Sequence, residues 1–425
     1  MTVLSAAGRT AAKPFPAPSL LLASQLVFNI GFYAVVPFLA LVMTEDFGMT
    51  TTAVGVVLGA RVFSQQGLFL VGGIVTDRWG PRRAILVGCL VRISGYLTLA
   101  MAENFPLFLL GAVLTGMGGA LFSPSLESLV GKAEERRRNT SGKAAGLFAL
   151  LAICGEIGAV AGPLLGALLL GISFRWAALA GAAVFALMTF VLWRNVPAPV
   201  PCAVHAPPAG TRPSRPRGDG IAAMLRERRF VAFAALYSVN LLAYNQLYFG
   251  LPIELTRSGA GAGALAGLFA VASVLTIALQ LPVSRLTGRM GPGRALTAGF
   301  TLKGLAFAGM AMFAQFPATG ALQLLPALLL VTGLCLGHMC IGPVAMPLVL
   351  DFARGRRTGI YYGLLASIGG CAVLLGNVVL GPLYSGATQP GLQAAWPWAV
   401  MAALTVIPAV GLSRLLPPTR PAPWH

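Results

Sequence analysis

Gly73-Ile-Val-Thr-Asp77-Arg78-Trp-Gly80-Pro-Arg82-Arg83 is a basic loop wedged between two long apolar runs, residues 53–76 and 84–102. One acid and three arginines in so short a link cannot turn a chain inside a hydrophobic core. They suit a connection between two helices that each cross a bilayer, which takes about 20 mostly apolar residues. Further runs of that length lie near 20–43, 105–131, 144–170 and 173–194, then near 230–255, 262–286, 294–315, 320–350, 358–385 and 394–416. With the two flanking the loop they make twelve spans. The expected fold is an all-α integral membrane protein.

Composition excludes the main alternatives. Hydrophobic residues are 57% of the 425 and charged residues 10%. Soluble domains carry roughly a quarter charged residues, so too few remain here to cover a water-facing surface. The 52 glycines suit membrane helices, where small residues let backbones approach. A net charge of +18 is scattered among short loops, so it reads as topology-setting charge and attachment to anionic lipid, not as nucleic-acid binding.

Cytoplasmic loops are enriched in Lys and Arg. With the N-terminus in the cytoplasm, Arg175 and Arg257 face outside, Arg61, Arg92 and Lys303 lie within spans, and the other 25 of the 30 fall inside. Both termini are therefore expected in the cytoplasm. All cysteines except Cys202 lie in spans, and no CxxC or Cys/His spacing occurs, so no metal, disulfide framework or other cofactor is indicated. The first twenty residues lack a cleavable signal with an apolar core, so the first span itself is expected to direct insertion.

Residues 195–220 hold seven prolines, three arginines and no apolar run, the makings of an extended linker. Ile221-Ala-Ala-Met-Leu-Arg-Glu-Arg-Arg229 follows as an expected short helix on the membrane surface. The chain thus divides into an N-terminal half (1–194), a cytoplasmic linker (195–229) and a C-terminal half (230–425), six spans to each half. A weak repeat relates the halves. Thr287-Gly-Arg-Met-Gly291-Pro-Gly-Arg294 echoes the first loop at an offset of 211, with Gly288 in place of the aspartate. Arg138-Asn-Thr-Ser-Gly142-x-x-x-Gly146 is matched by Arg357-Thr-Gly359-x-x-x-Gly363, and Gly162-Pro163 by Gly381-Pro382. Parallel halves with a cavity between them are the architecture such repeats predict.

The first loop resembles the signature loop of the major facilitator superfamily, Gly-x-x-x-Asp-Arg/Lys-x-Gly-Arg/Lys-Arg/Lys, through Gly73, Asp77, Arg78, Gly80, Arg82 and Arg83. The resemblance covers essentially the whole chain and implies two pseudo-symmetric six-helix halves. In that family the aspartate meets the positive end of the eleventh helix and latches the cytoplasmic gate. The bases pair with an acid below the fourth helix, a position that Glu127 fits. Ordinary topogenic charge is the simpler alternative for the same residues. Gly158-Ala-Val-Ala-Gly162-Pro163-Leu-Leu-Gly166 resembles the family's antiporter motif, which marks proton-exchanging exporters. A stripe at that spacing also serves plain helix packing. Ala149 stands where the motif has an upstream glycine and Ala167 where it has a final one. In the fourth span, Ala112 occupies the place of the arginine that drug–proton antiporters carry four residues before Gly116. Arg61-x-x-x-Gln65-Gln-Gly, with Arg92-x-x-Gly95, resembles a subgroup of bacterial multidrug exporters.

Charge inside a bilayer is costly and usually functional. Glu156 stands midway along the fifth span and, at 100° per residue, points away from the glycine stripe. Desolvation favours a neutral carboxyl, a property that suits a proton carrier. Its alternative role is a structural ion pair with Arg92 or Arg61, which sit near mid-depth in the same half. Gln65 lies one turn from Arg61 on the same face. Asn29 and Tyr33 on the first span, and Asn240, Tyr244 and Asn245 on the seventh, mix amide and aromatic groups as a cavity for amphipathic organic molecules does; each serves equally well to bridge helices. His338 in the tenth span can titrate or simply pack. Lys303 can snorkel toward the cytoplasm.

The expected function is a secondary transporter that exports small amphipathic, drug-like molecules across a bacterial inner membrane in exchange for protons. Its expected partners are the small-molecule substrate, protons and membrane lipid, and the resemblance implies a monomer. A dedicated exporter of one metabolite, such as a siderophore or sugar, shares the same motifs. A membrane enzyme or sensor is disfavoured because the three histidines are scattered at 205, 338 and 425, and no GxxxxGK[ST] occurs for ATP-driven pumping.

Overall fold

The computed structural model describes residues 16–141, 147–196, 224–316, 323–353, 358–387 and 389–415. Among these, twelve helical spans are long and apolar enough to cross a membrane. They are α1 (Pro18–Glu45), α2 (Thr51–Thr76), α3 (Pro81–Ala100), α4 (Phe105–Glu134), α5 (Leu150–Leu170), α6 (Phe174–Asn195), α7 (Arg228–Arg257), α8 (Ala262–Met290), α9 (Pro292–Phe313), α10 (Leu325–Val349), α11 (Tyr361–Ser385) and α12 (Leu392–Leu415). Each expected span has its counterpart, and the described residues contain no strand.

Two sharp turns set the geometry of the basic end. Gly80 and Gly291 adopt φ of 81° and 79° with extended ψ, a region open in practice only to glycine. Each is followed by a proline at the first position of the next helix, Pro81 and Pro292, where the missing N–H costs nothing. Gly-Pro therefore reverses the chain without a flexible link in either half. Prolines also break α1 and α7. Pro37 and Pro252 have no N–H to bond the carbonyls of Tyr33 and Tyr248 four residues back. The first helical piece of α1 accordingly ends at Tyr33, and that of α7 at Asn245.

Packing repeats from half to half. In the first, α3 lies against α4 and α6 and α1 against α5; in the second, α9 lies against α10 and α12 and α7 against α11. Glycine pairs allow the close crossings. A Cβ on Gly88 would stand 2.9 Å from the Gly118 carbonyl oxygen, and one on Gly299 would stand 2.9 Å from that of Gly337. The halves meet along α2–α11 and α5–α8.

The two ends of this seam differ. Away from the Gly80 and Gly291 turns, Thr256 Oγ1 donates to Glu45 Oε1 at 2.8 Å and Thr51 Oγ1 to the Gly381 carbonyl at 2.7 Å. A Cβ on Gly55 there would lie 2.6 Å from the Asn377 carbonyl oxygen. That end is sealed. On the side of the basic turns a cavity of about 1000 Å³ separates the halves, bounded by α2, α4, α7, α10 and α11.

Residues 197–223, most of the expected linker, lie outside the described residues, as do Ile221, Ala222 and Ala223 of the expected surface helix. Of the described remainder, Met224 and Leu225 are helical. Met224 is buried, a turn intervenes at Arg226, and Arg228 and Arg229 already belong to α7. Burial of Met224 in the apolar core around Phe230 and Tyr361 draws the segment inward.

Candidate functional site

Between the halves, beside the large cavity and sharing Gln66 and Leu241 with it, lies a second cavity of about 290 Å³. Asn29 and Tyr33 from α1, Gln65 from α2, and Tyr244 and Asn245 from α7 all line it, together with Arg61 and Arg92. Asn240 and His338 line the larger space instead. The side chains expected to share a cavity are thus brought together, apart from Asn240. Over them lies an aromatic roof. Tyr33 and Tyr248, at the two proline-broken points, are within hydrogen-bonding reach of each other, and both rings pack on Phe269.

Arg61 and Arg92 are the charged groups of this cavity. They are only 6% and 5% exposed. Their guanidinium carbons stand 4.6 and 5.5 Å from the centre of one ring, Phe32, and Arg92 also lies over Phe185 at 5.0 Å. Such cation–π contacts offset part of the cost of burial. Arg61 Nη2 donates to Gln65 Oε1 at 2.9 Å, and Arg92 is within hydrogen-bonding reach of the Tyr96 hydroxyl. The expected structural ion pair with Glu156 is not formed: among the described residues neither guanidinium has a carboxylate within 4 Å. A π-helical turn at Phe63–Gly67 interrupts α2 directly after Arg61, and it carries Gln65 and Gln66 on the cavity wall.

The C-terminal half holds a counterpart. The offset of 211 that relates the two basic turns also relates Arg92 to Lys303. Lys303 does not snorkel; it is fully buried, and its Nζ donates to Asn240 Oδ1 at 2.6 Å. Its stem packs on Gly337 as Arg92 packs on Gly118, so no open path leads it to the membrane surface. Nζ also lies 5.8 Å from the Tyr244 ring, and that ring stacks on His338 at 4.5 Å. His338 Nδ1 has no hydrogen-bond partner.

On α5, the stripe Gly158, Gly162 and Gly166 faces α1. A Cβ on Gly158 would sit 2.6 Å from Asn29 Cβ, and one on Gly162 would sit 2.9 Å from the Ile30 carbonyl oxygen; Gly166 abuts Ala34. Pro163 lies inside the helix. Glu156 points elsewhere, to the α5–α8 seam, where Ser273 of the other half is within hydrogen-bonding reach.

The basic turn departs from expectation in two ways. Glu127 forms no ion pair with Arg78, Arg82 or Arg83; it is exposed on the wall of the large cavity. Arg82 instead donates to the Trp193 carbonyl at the end of α6, at 2.7 Å. Glu127 and the basic turn belong to the same half, so their separation reflects side-chain direction: Glu127 faces the cavity while Arg82 turns to α6. Gly73 faces the same space with nothing within 4 Å of a Cβ, whereas Gly72 makes the close approach, to Ala120 of α4. The Asp77 side chain lies outside the described residues.

Sequence reasoning missed Phe32, Tyr248, Ser273 and the Lys303–Asn240 pair. The 211-residue offset was a sufficient signal for Lys303. For Phe32 there was none, because a phenylalanine in an apolar helix is indistinguishable from packing.

Comparison with known proteins places these features. The model of the Major Facilitator Superfamily matches residues 21–377. An uncharacterized MFS-type transporter of Mycobacterium tuberculosis is 31% identical over 407 residues, 94% of each chain. Multidrug resistance protein MdtH of Escherichia coli is 28% identical over 400 residues, 92% of each. Among solved structures, an auto-inhibited POT family peptide transporter superposes with a TM-score of 0.74 at 17% identity, covering 95% of this chain and 98% of its own. The nucleoside transporter NupG gives 0.70 at 17%, covering 94% and 98%. The last two likenesses bear on the fold alone.

Proposed function

The chain belongs to the major facilitator superfamily and is a multi-pass membrane transporter, not an enzyme, and from that premise we propose that it exports small amphipathic organic molecules in exchange for protons. The basic turns and both termini face the cytoplasm of a bacterial cell, and the protein acts as a monomer in the inner membrane. Substrate enters the large cavity from the cytoplasm and reaches the smaller one under the Tyr33–Tyr248 roof. Rocking of the halves about α2–α11 and α5–α8 then opens the end held by Glu45 and Thr256. The similarity to a multidrug resistance protein supports the substrate class.

One observation carries the coupling. Glu156 is an intramembrane carboxyl with no cation within 4 Å among the described residues, set on a seam that rocking must shear, and Ser273, within its reach, belongs to the opposite half. A proton on Glu156 makes it a donor to Ser273; loss of the proton leaves an acceptor. Protonation and the relative position of the halves are linked at that contact.

Everted vesicles with an acidic interior test the reading, with vesicles lacking the protein as the control for passive permeation. Amphipathic anions, neutral compounds and cations are added in turn. Substrate-induced collapse of the pH gradient, reduced at least tenfold by Glu156→Gln, is the expected outcome. Collapse that survives the substitution keeps proton exchange but removes Glu156 from it. No response from inserted protein to any compound rules out broad drug export.

A further inference from the structure

We propose that the smaller cavity holds its substrate by an anionic head group, a carboxylate or phosphate oxyanion bound between Arg61 and Arg92 beside the Phe32 ring. The inference rests on the transport reading and names the chemistry of what is transported.

Two like charges stand against one ring in a space of about 290 Å³. None of the residues lining that space is an acid; its other titratable groups are Tyr33, Tyr244 and Tyr248. Glu156 lies at the α5–α8 seam, close enough to Tyr33 and Tyr244 to act on them electrostatically but not among the lining residues, and Glu127 lies on the larger cavity. Among the described residues no carboxylate comes within 4 Å of either guanidinium. The Nε atoms of both arginines are buried and have no hydrogen-bond partner.

Buried donors are nearly always satisfied, and an intramembrane cation ordinarily finds a counter-charge. Here the neighbours that could serve are an amide, a phenol and two aromatic faces, none of them charged. Guanidinium donors are arranged as a planar fork that matches two-oxygen acceptors. An oxyanion entering this space satisfies the orphan donors and relieves the repulsion between the two cations. A substrate cation meets that repulsion and has no carboxylate to offset it. The apolar remainder of an amphipathic anion has Phe28, Phe32 and Phe122 to pack on.

Equilibrium dialysis of the full chain in phosphatidylcholine nanodiscs at neutral pH tests this. The probes share one scaffold: 1-naphthylacetate, 1-naphthyl phosphate, 1-naphthylacetamide and 1-naphthylmethylamine. Expected is binding of one or both anions about tenfold or more tighter than the amide, with the amine weakest. The tighter anion identifies the oxyanion. Arg61→Gln or Arg92→Gln removes the preference, and Arg61→Lys restores part of it. A monodisperse size-exclusion profile and an unchanged melting temperature report that each variant is folded. Equal or tighter binding of amide or amine, an anion preference that survives both Gln variants, or no binding by any probe overturns the proposal. Dialysis involves no gradient, so anion preference without proton movement in vesicles would leave this inference standing and sink the proton-exchange reading alone.

Discussion

Lys303 and Asn240 show what a buried charge demands of its surroundings. The ammonium has no carboxylate nearby among the described residues, and its closest partner is one amide oxygen. Removing that oxygen leaves the buried charge only the longer bond to the Asn240 backbone carbonyl, at 3.3 Å, whereas removing both groups leaves apolar packing. Asn240→Leu is therefore expected to destabilise the protein by about 1.5–3 kcal/mol. Adding Lys303→Met to it should restore most of that loss. Thermal unfolding of both variants in detergent checks the pair; a double variant no more stable than Asn240→Leu alone would sink the argument. The residue was legible as a charge within a span, but its burial was not, because the stem's fate depends on Gly337 of another helix. The offset that equates it with Arg92 lay in the sequence all along.

At the scale of elements, the twelve spans were legible because apolar length is a property of consecutive residues. So were the two Gly-Pro turns, where local backbone chemistry leaves little choice. Contacts between spans were less so. The glycine stripe of α5 announced a close crossing without naming α1 as its partner, and Gly73 was expected to pack where Gly72 does. The pairing of Glu127 with the basic turn was not legible either, because it depends on which way each side chain turns, and Arg82 turns to the Trp193 carbonyl. The stripe yields a sharp expectation. Gly162→Val places atoms within 2.9 Å of the α1 backbone and should cost about 1–3 kcal/mol together with transport. Gly267→Ala, on a face with nothing within 4 Å, should be neutral or stabilising by up to about 1 kcal/mol. Melting temperatures that rank these two the other way would show that α1 and α5 are not tightly packed.

For the whole molecule, transport by rocking requires the Glu45 and Thr256 end to part. Glu45→Cys with Thr256→Cys, in a chain freed of its native cysteines, should bridge readily with a short reducible bifunctional thiol reagent. Bridging is expected to abolish transport, and dithiothreitol to restore it. Activity that persists in the bridged protein would mean that this end never opens. A membrane protein that exposes an internal space to each side in turn also risks short-circuiting the voltage across its bilayer. Arg61 and Arg92 guard against that. With two guanidiniums and no acid on its wall, the inner chamber repels sodium, potassium and hydronium whichever door is open. On the proton-exchange reading, proton traffic is left to the Glu156 seam, and the same guanidiniums would serve as the molecule's electrical insulation.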